Sequence, residues 1–204
     1  SDNTETYTLL KKAANMKHCR FDVDFSGYYF NSIDGLFEFR QISQFLVIRA
    51  HYFAEKHDPK RAIDSIKTLL GLSGCLSQQP LQLTSIVRMA LYMLSADSVK
   101  RLVNKVTLSR PQLEELNAAL EKHTDPNILA AALEGELSVA IARARSQNSL
   151  AFRTNSFWAS LSKAFGSHKT AIMTFIDLMR EFIDASRKPL EDRKKAFEPL
   201  TKKS

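Results

Sequence analysis

The sequence predicts an all-α fold, an antiparallel bundle of about seven to ten helices with stacked, right-handed, repeat-like hairpins at its centre. Three observations lead there. Residues 38–95 carry three consecutive sets of apolar side chains at steps of three and four, which places each set on one side of a helix. Six Gly and six Pro in 204 residues leave little material for a turn-rich all-β chain. The sole strand-like alternation, Phe and Asp over 21–25, is short and has no second strand to pair with.

Taken in order, residues 1–17 suggest a short helix with Thr8, Leu9, Leu10, Ala13, Ala14 and Met16 after a polar start. Residues 18–35 read as an irregular loop whose aromatics pack on the first core helix, and Ser32 and Asp34 supply capping chemistry ahead of Leu36 and Phe37. That first core helix carries Phe39, Ile42, Leu46, Ala50 and Phe53 and ends at His57-Asp58-Pro59. The second carries Ala62, Ile63, Ile66, Leu69 and Leu70 and is expected to end between Gly71 and Gly74. The third follows Pro80 with Leu83, Ile86, Val87, Ala90, Leu91 and Leu94. Ser95-Ala96-Asp97-Ser98 then offers an N-cap for a separate helix holding Val99, Leu102, Val103 and Val106.

Ser109-Arg110-Pro111-Gln112 is a helix start, with Ser as N-cap, Pro in the first turn, and Glu114 and Glu115 near the positive end of the dipole. Leu113, Leu116, Ala119 and Leu120 form its stripe. Thr124-Asp125-Pro126 opens the next helix, which includes Ile128, Leu129, Leu133 and Leu137, and Ala130, Ala131 and Ala132 suit close packing. The Ser/Gln/Asn run at 146–149 marks the boundary between a main helical domain, residues 1–145, and a C-terminal hairpin with a basic tail, residues 146–204, packed on it. The hairpin is read from Phe157, Leu161 and Phe165, then Ile172, Phe175, Met179, Phe182 and Ile183, broken near Gly166. Pro189 ends its second arm, and the lysine-rich end is expected to fray.

A hydrophobic share of 44% is ordinary for a globular chain, and 204 residues suffice for a real core. The net charge of +7 permits nucleic-acid, anionic-lipid or acidic-protein partners without selecting one, and dedicated nucleic-acid binding is not expected. No apolar run approaches the ~20 residues of a membrane helix. Because the sequence starts at Ser1 and its first methionine is Met16, an upstream segment is expected to have been removed, which leaves a cleaved signal or an N-terminal anchor open. Cys19 and Cys75 are too few for a disulfide scaffold; one bridge and two separate thiols both remain open.

Two resemblances add to this. Ala50 and Phe53, then Ala62, Ile66 and Leu69, resemble the small and large positions of one degenerate tetratricopeptide unit, without the pattern's tryptophan and with no second copy. The segments Cys19 to Gly27 and Gly35 to Leu46, with Ala50, Ala62, Leu69-Leu70-Gly71-Leu72, Gln79-Pro80 and Ser85 to Ala90, resemble an uncharacterised all-helical paralogous family from planctomycetes and related bacteria. That likeness covers roughly residues 15–140. It implies an exported or membrane-anchored protein and supplies no activity.

No nucleophile motif, phosphate-binding glycine loop or paired-histidine helix is present, and His51 and His57 do not share the four-residue spacing of a helical metal pair. No catalytic residue, cofactor or metal is therefore expected. Two charges fall on apolar stripes, Arg49 and Glu136. If they point inward they need partners, which predicts an ion pair of Arg49, Arg40 or Arg88 with Glu136 or Glu38. Residues 137–176 contain no Asp or Glu, and Arg143, Arg145, Arg153, Lys163 and Lys169 there alternate with aromatics, a surface for anionic contact or simply the solvated side of a hairpin. The functional expectation is a non-enzymatic protein-interaction or scaffolding module, its partner another protein and its location extracytoplasmic or membrane-anchored, with the cytoplasm left open. The alternative is a carrier of an apolar or anionic ligand between helices, lined by Phe39, Phe53, Tyr92 or Phe175.

Overall fold

The computed structural model describes residues 4–16, 19, 36–78, 81–145 and 168–201. These residues form α1 (Thr4–Ala14), α2 (Leu36–Glu55), α3 (Pro59–Cys75) with a 3-10 turn at Leu76–Gln78, α4 (Gln82–Lys105), α5 (Arg110–His123), α6 (Ile128–Arg145), α7 (His168–Arg187) and α8 (Leu190–Thr201). There is no strand among them, so the fold is all-α as the periodicity predicts. No helix of the described residues is long and apolar enough to cross a membrane. By contacts the chain divides after Asp125: one unit holds α1, α2, α3, α5 and α4 from Leu83 onward, the other α6, α7, α8 and Gln82. The run at 146–149 expected to mark the boundary lies outside the described residues.

α3 is the hub of the first unit because its sequence is apolar on two sides. Ala62, Ile63, Ile66 and Leu70 meet Ala50 and Ala54 of α2, Leu102 of α4 and Leu116 of α5. One helical step round, Leu69 and Leu72, with Leu76 of the following turn, meet Tyr7 of α1, Leu46 of α2 and Leu91 of α4. Burying one such large side chain stabilises by about 1.5–3 kcal/mol, so a helix that fills two clusters holds its neighbours in place.

The starts of α3 and α5 follow from their caps. Asp58 accepts the Arg61 N–H at 3.1 Å, with Pro59 in the first turn and His57 in the left-handed region, φ 53°, to make the corner. At Ser109 the backbone N–H donates to Gln112 Oε1 at 2.9 Å.

Four local expectations are corrected. α3 runs through Gly71 and Gly74 to Cys75, because the glycines are used for close approach and not for termination. α4 is one helix across 95–98: Ser95 and Ser98 are buried, and their hydroxyls donate back to the carbonyls of Leu91 and Leu94, each at 2.8 Å. In α1 the buried residue is Tyr7, while Leu9 points to water. The lysine-rich end forms α8 through Thr201, anchored where Phe197 stacks on Phe182 of α7 at 5.7 Å between centroids.

In the second unit α7 lies between α6 and α8. Ala130 and Ala132 of α6 are buried, as are Ile183 and Ala185 of α7 and Leu200 of α8.

Candidate functional site

The densest polar cluster of the described residues lies where α1 crosses α2 and α3. Tyr7 is turned inward, and its hydroxyl donates to Asp64 Oδ2 at 2.7 Å and lies 3.3 Å from Thr68 Oγ1. Lys11, one helical turn on, holds the same carboxylate at 2.7 Å. From α2, the Arg49 guanidinium lies 3.6 Å over the Tyr7 ring and 4.6 Å from the Phe53 centroid, and donates to Ser65 Oγ at 2.9 Å. Arg61 covers Phe53 at 5.0 Å. A planar cation on an aromatic face is attracted by the ring quadrupole, about 0.5–2 kcal/mol depending on desolvation.

The charge balance is readable. Burial opposes the Asp64 charge, but hydrogen bonds from Lys11 and Tyr7, with the Lys11 and Arg49 charges, outweigh it and hold the carboxyl below its usual range. Burial, aided by Asp64 and opposed by the Thr68 hydrogen bond and the Arg49 charge, pushes the Tyr7 phenol up to about 12. Both shifts favour one protonation state near neutral pH, Asp64 charged and Tyr7 neutral.

The residues of the expected ion pair find other partners. Arg88, with a side chain only 11% exposed, pairs with Asp125 at 2.9 Å. Arg49 is stacked on two π faces and donates to a hydroxyl, with Asp64 near enough to feel its charge. Glu136 Oε1 accepts the backbone N–H of Gln82 at 3.0 Å, using a charge on a donor at a helix start. Arg40 and Glu38 are exposed on the first turns of α2. The predicted pairing is thus corrected: Arg49 lies on the apolar stripe of α2 as read, but it meets the Tyr7 and Phe53 rings and Ser65, Arg88 pairs with Asp125, and Glu136 accepts from Gln82. Of the anionic-contact residues, Arg153 and Lys163 lie outside the described residues, as do the side chains of Arg143, Arg145 and Lys169.

The aromatics named for a ligand cavity are distributed differently. Phe53 and Tyr92 pack on the cluster around Ile66, and Phe39 on the one around Leu69. The Tyr92 hydroxyl is 3.0 Å from Thr124 Oγ1. Phe175 is half-buried on α7. Among the described residues no group of three or more His, Cys, Asp or Glu could hold a metal ion.

α4 presents a different kind of site. Its inner face, Thr84, Leu91, Ser95, Ser98 and Leu102, is buried. Its outer face carries Leu83, Ile86, Met89, Met93 and Leu94 in water, with Met93 70% and Leu83 51% exposed. From Gln82 to Ala96 the sequence has a single charge, Arg88, and that one is turned in to Asp125. On α2, the helix tied to α4 by the Glu55–Lys105 bridge of 2.9 Å, Ile48 and Tyr52 are likewise exposed. The stripe at 83, 86, 90 and 94 was visible as periodicity, yet periodicity does not say which of two apolar sides meets the core.

No protein-family model matches the chain, and no curated protein and no solved structure matches it.

Proposed function

We propose that this chain is a non-enzymatic interaction module that receives an amphipathic helix of a partner protein on the outer face of α4. The observation that carries the reading is the two-sided apolar character of α4. One side is consumed by the core around Leu91 and Leu102, and the other leaves five large apolar side chains exposed without a charge among them. A contiguous uncharged apolar stripe at helical spacing is the surface a helix-in-groove partner reads, and methionines adapt to it. The cluster of Tyr7, Arg49 and Asp64 then serves as the frame that keeps α1 and α2 fixed on α3. An extracytoplasmic location with an N-terminal tether belongs to the same proposal and is supported by the family resemblance alone.

The test is a photo-cross-linking amino acid placed at position 86 or 93 in the native host, with Lys100 as the exposed control. A discrete protein adduct at 86 and 93 but not at 100 supports the module. Adducts to lipid alone, or equal labelling at all three positions, would overturn it.

A further inference from the structure

The two cysteines of the sequence, far apart in the chain, are brought to one place. Cys75 ends α3; it is 7% exposed, and its Sγ lies 3.7 Å from the Ala13 carbonyl of α1. Cys19 is held over the same end of α3 by its backbone N–H, which donates to Gln78 Oε1 at 3.1 Å. Its thiol neighbours the Cys75 thiol, and the two are not joined. One thiol is therefore buried and the other half-exposed, at the junction of α1, α3 and the turn at Leu76–Gln78.

We propose that Cys19 and Cys75 are a redox pair that closes into an intramolecular disulfide, fastening the chain at Cys19 to the end of α3. The asymmetry assigns the order of events. The half-exposed Cys19 meets the oxidant, a hydroperoxide: its thiolate attacks the outer oxygen, the O–O bond breaks, and Cys19 becomes a sulfenic acid with release of water or an alcohol. Cys75 then attacks the Cys19 sulfur, the S–O bond breaks, and the departing hydroxide takes the Cys75 proton to leave as water. Two thiols and one peroxide thus yield one disulfide and two molecules of water or of water and alcohol. Burial, then the neighbouring Cys19, pushes the Cys75 thiol up to about 12, which fits the half-exposed Cys19 as the thiol that meets the oxidant first.

The site does not depend on the α4 surface, and its test is separate. The full chain, reduced and then exposed to hydrogen peroxide, is digested without reductant and analysed by mass spectrometry, with melting curves before and after dithiothreitol. The expected result is a Cys19–Cys75 linked peptide lacking two hydrogens and a melting temperature raised by roughly 5–15 °C that dithiothreitol reverses. In Cys75→Ser the intermediate should be trapped on Cys19 as a dimedone adduct, while Cys19→Ser should protect Cys75 from reaction. Both thiols still free after peroxide, over-oxidation without a linked peptide, or a bridge found only between chains would each overturn the proposal.

Discussion

The seam of α1 with α3 and the outer face of α4 are built from helices of the same unit, yet they end differently. At the seam every group is matched: Tyr7 with Asp64 and Thr68, Lys11 with Asp64, Arg49 with Tyr7, Phe53 and Ser65. On the outer face of α4 residues as apolar as those of the core stand in water. The difference teaches that apolar periodicity marks a side that can be buried, whereas polar partners from remote elements mark a side that is buried already. α4 is seated by its inner face, and its outer side chains stay 39–70% exposed among the described residues.

The largest effect should come from the inner face. Leu102 is 1% exposed, so Leu102→Ala removes transfer energy and leaves a cavity, and a loss of about 2–5 kcal/mol in urea unfolding is expected. A loss below 1 kcal/mol would mean that α4 is not seated as described. Gly71→Ala comes next. A Cβ there would lie 2.7 Å from the Ala14 carbonyl, which is helix backbone and cannot swing aside. The gain of ~1 kcal/mol in helix propensity is outweighed by an overpacking cost of about 1–3 kcal/mol, so α1 is pushed off and the net change is destabilising. Gly74→Ala is the internal control: its Cβ would meet the His123 imidazole at 2.9 Å, the end of a side chain that can rotate, and the change should be close to neutral.

The seam can also be taken apart by pH. Tyr7→Phe keeps the ring under Arg49 and deletes the hydroxyl, with an expected loss of about 1–2 kcal/mol. Because the folded-state value is raised from 10.0 to about 12, chiefly by burial, Tyr7 stabilises fully below pH 10, and that contribution is lost as pH rises through about 12. Urea midpoints measured from pH 8 to 12 should fall more steeply in the natural protein than in Tyr7→Phe; parallel curves would remove Tyr7 from the seam. Asp64 has the opposite sign. Burial opposes its charge, but its donors win and depress its value, so its stabilisation is present at neutral pH and is lost as pH falls through the acid range. Asp64→Asn should flatten that acid limb.

How much of this was readable follows from which forces are local. α2 and α3 and the caps at Asp58 and Ser109 depend on neighbours three or four residues away, and the sequence carries those directly. Gly71 and Gly74 looked like a helix end because local propensity is all that a sequence window shows; what they permit is the approach of Ala14 and His123, which only the packed structure contains. Ser95 and Ser98 offered hydroxyls that either cap a new helix or bond back into the old one, and the buried seam selected the second. Arg49 was legible as a charge on an apolar stripe, but its partners are the rings of Tyr7 and Phe53, and a search limited to carboxylates could not find them. Tyr7 itself was missed, although it stands three residues before Leu10 and seven before Ala14, on the side that packs.

The smallest expected effect is the sharpest test of the comparison. Met93→Lys together with Ile86→Lys places two charges on the outer face of α4, at side chains 70% and 50% exposed. In the isolated chain both side chains already meet water over half or more of their surface and little packing is lost, so stability should stay within ~0.5 kcal/mol of the natural protein, against several kcal/mol for Leu102→Ala on the same helix. In the native host the cross-link to a partner protein should disappear, because a lysine cannot enter an apolar groove without losing its water. A large fall in the melting temperature of the isolated double variant would show that this face is already packed, and the contrast between the two sides of α4 would collapse with it.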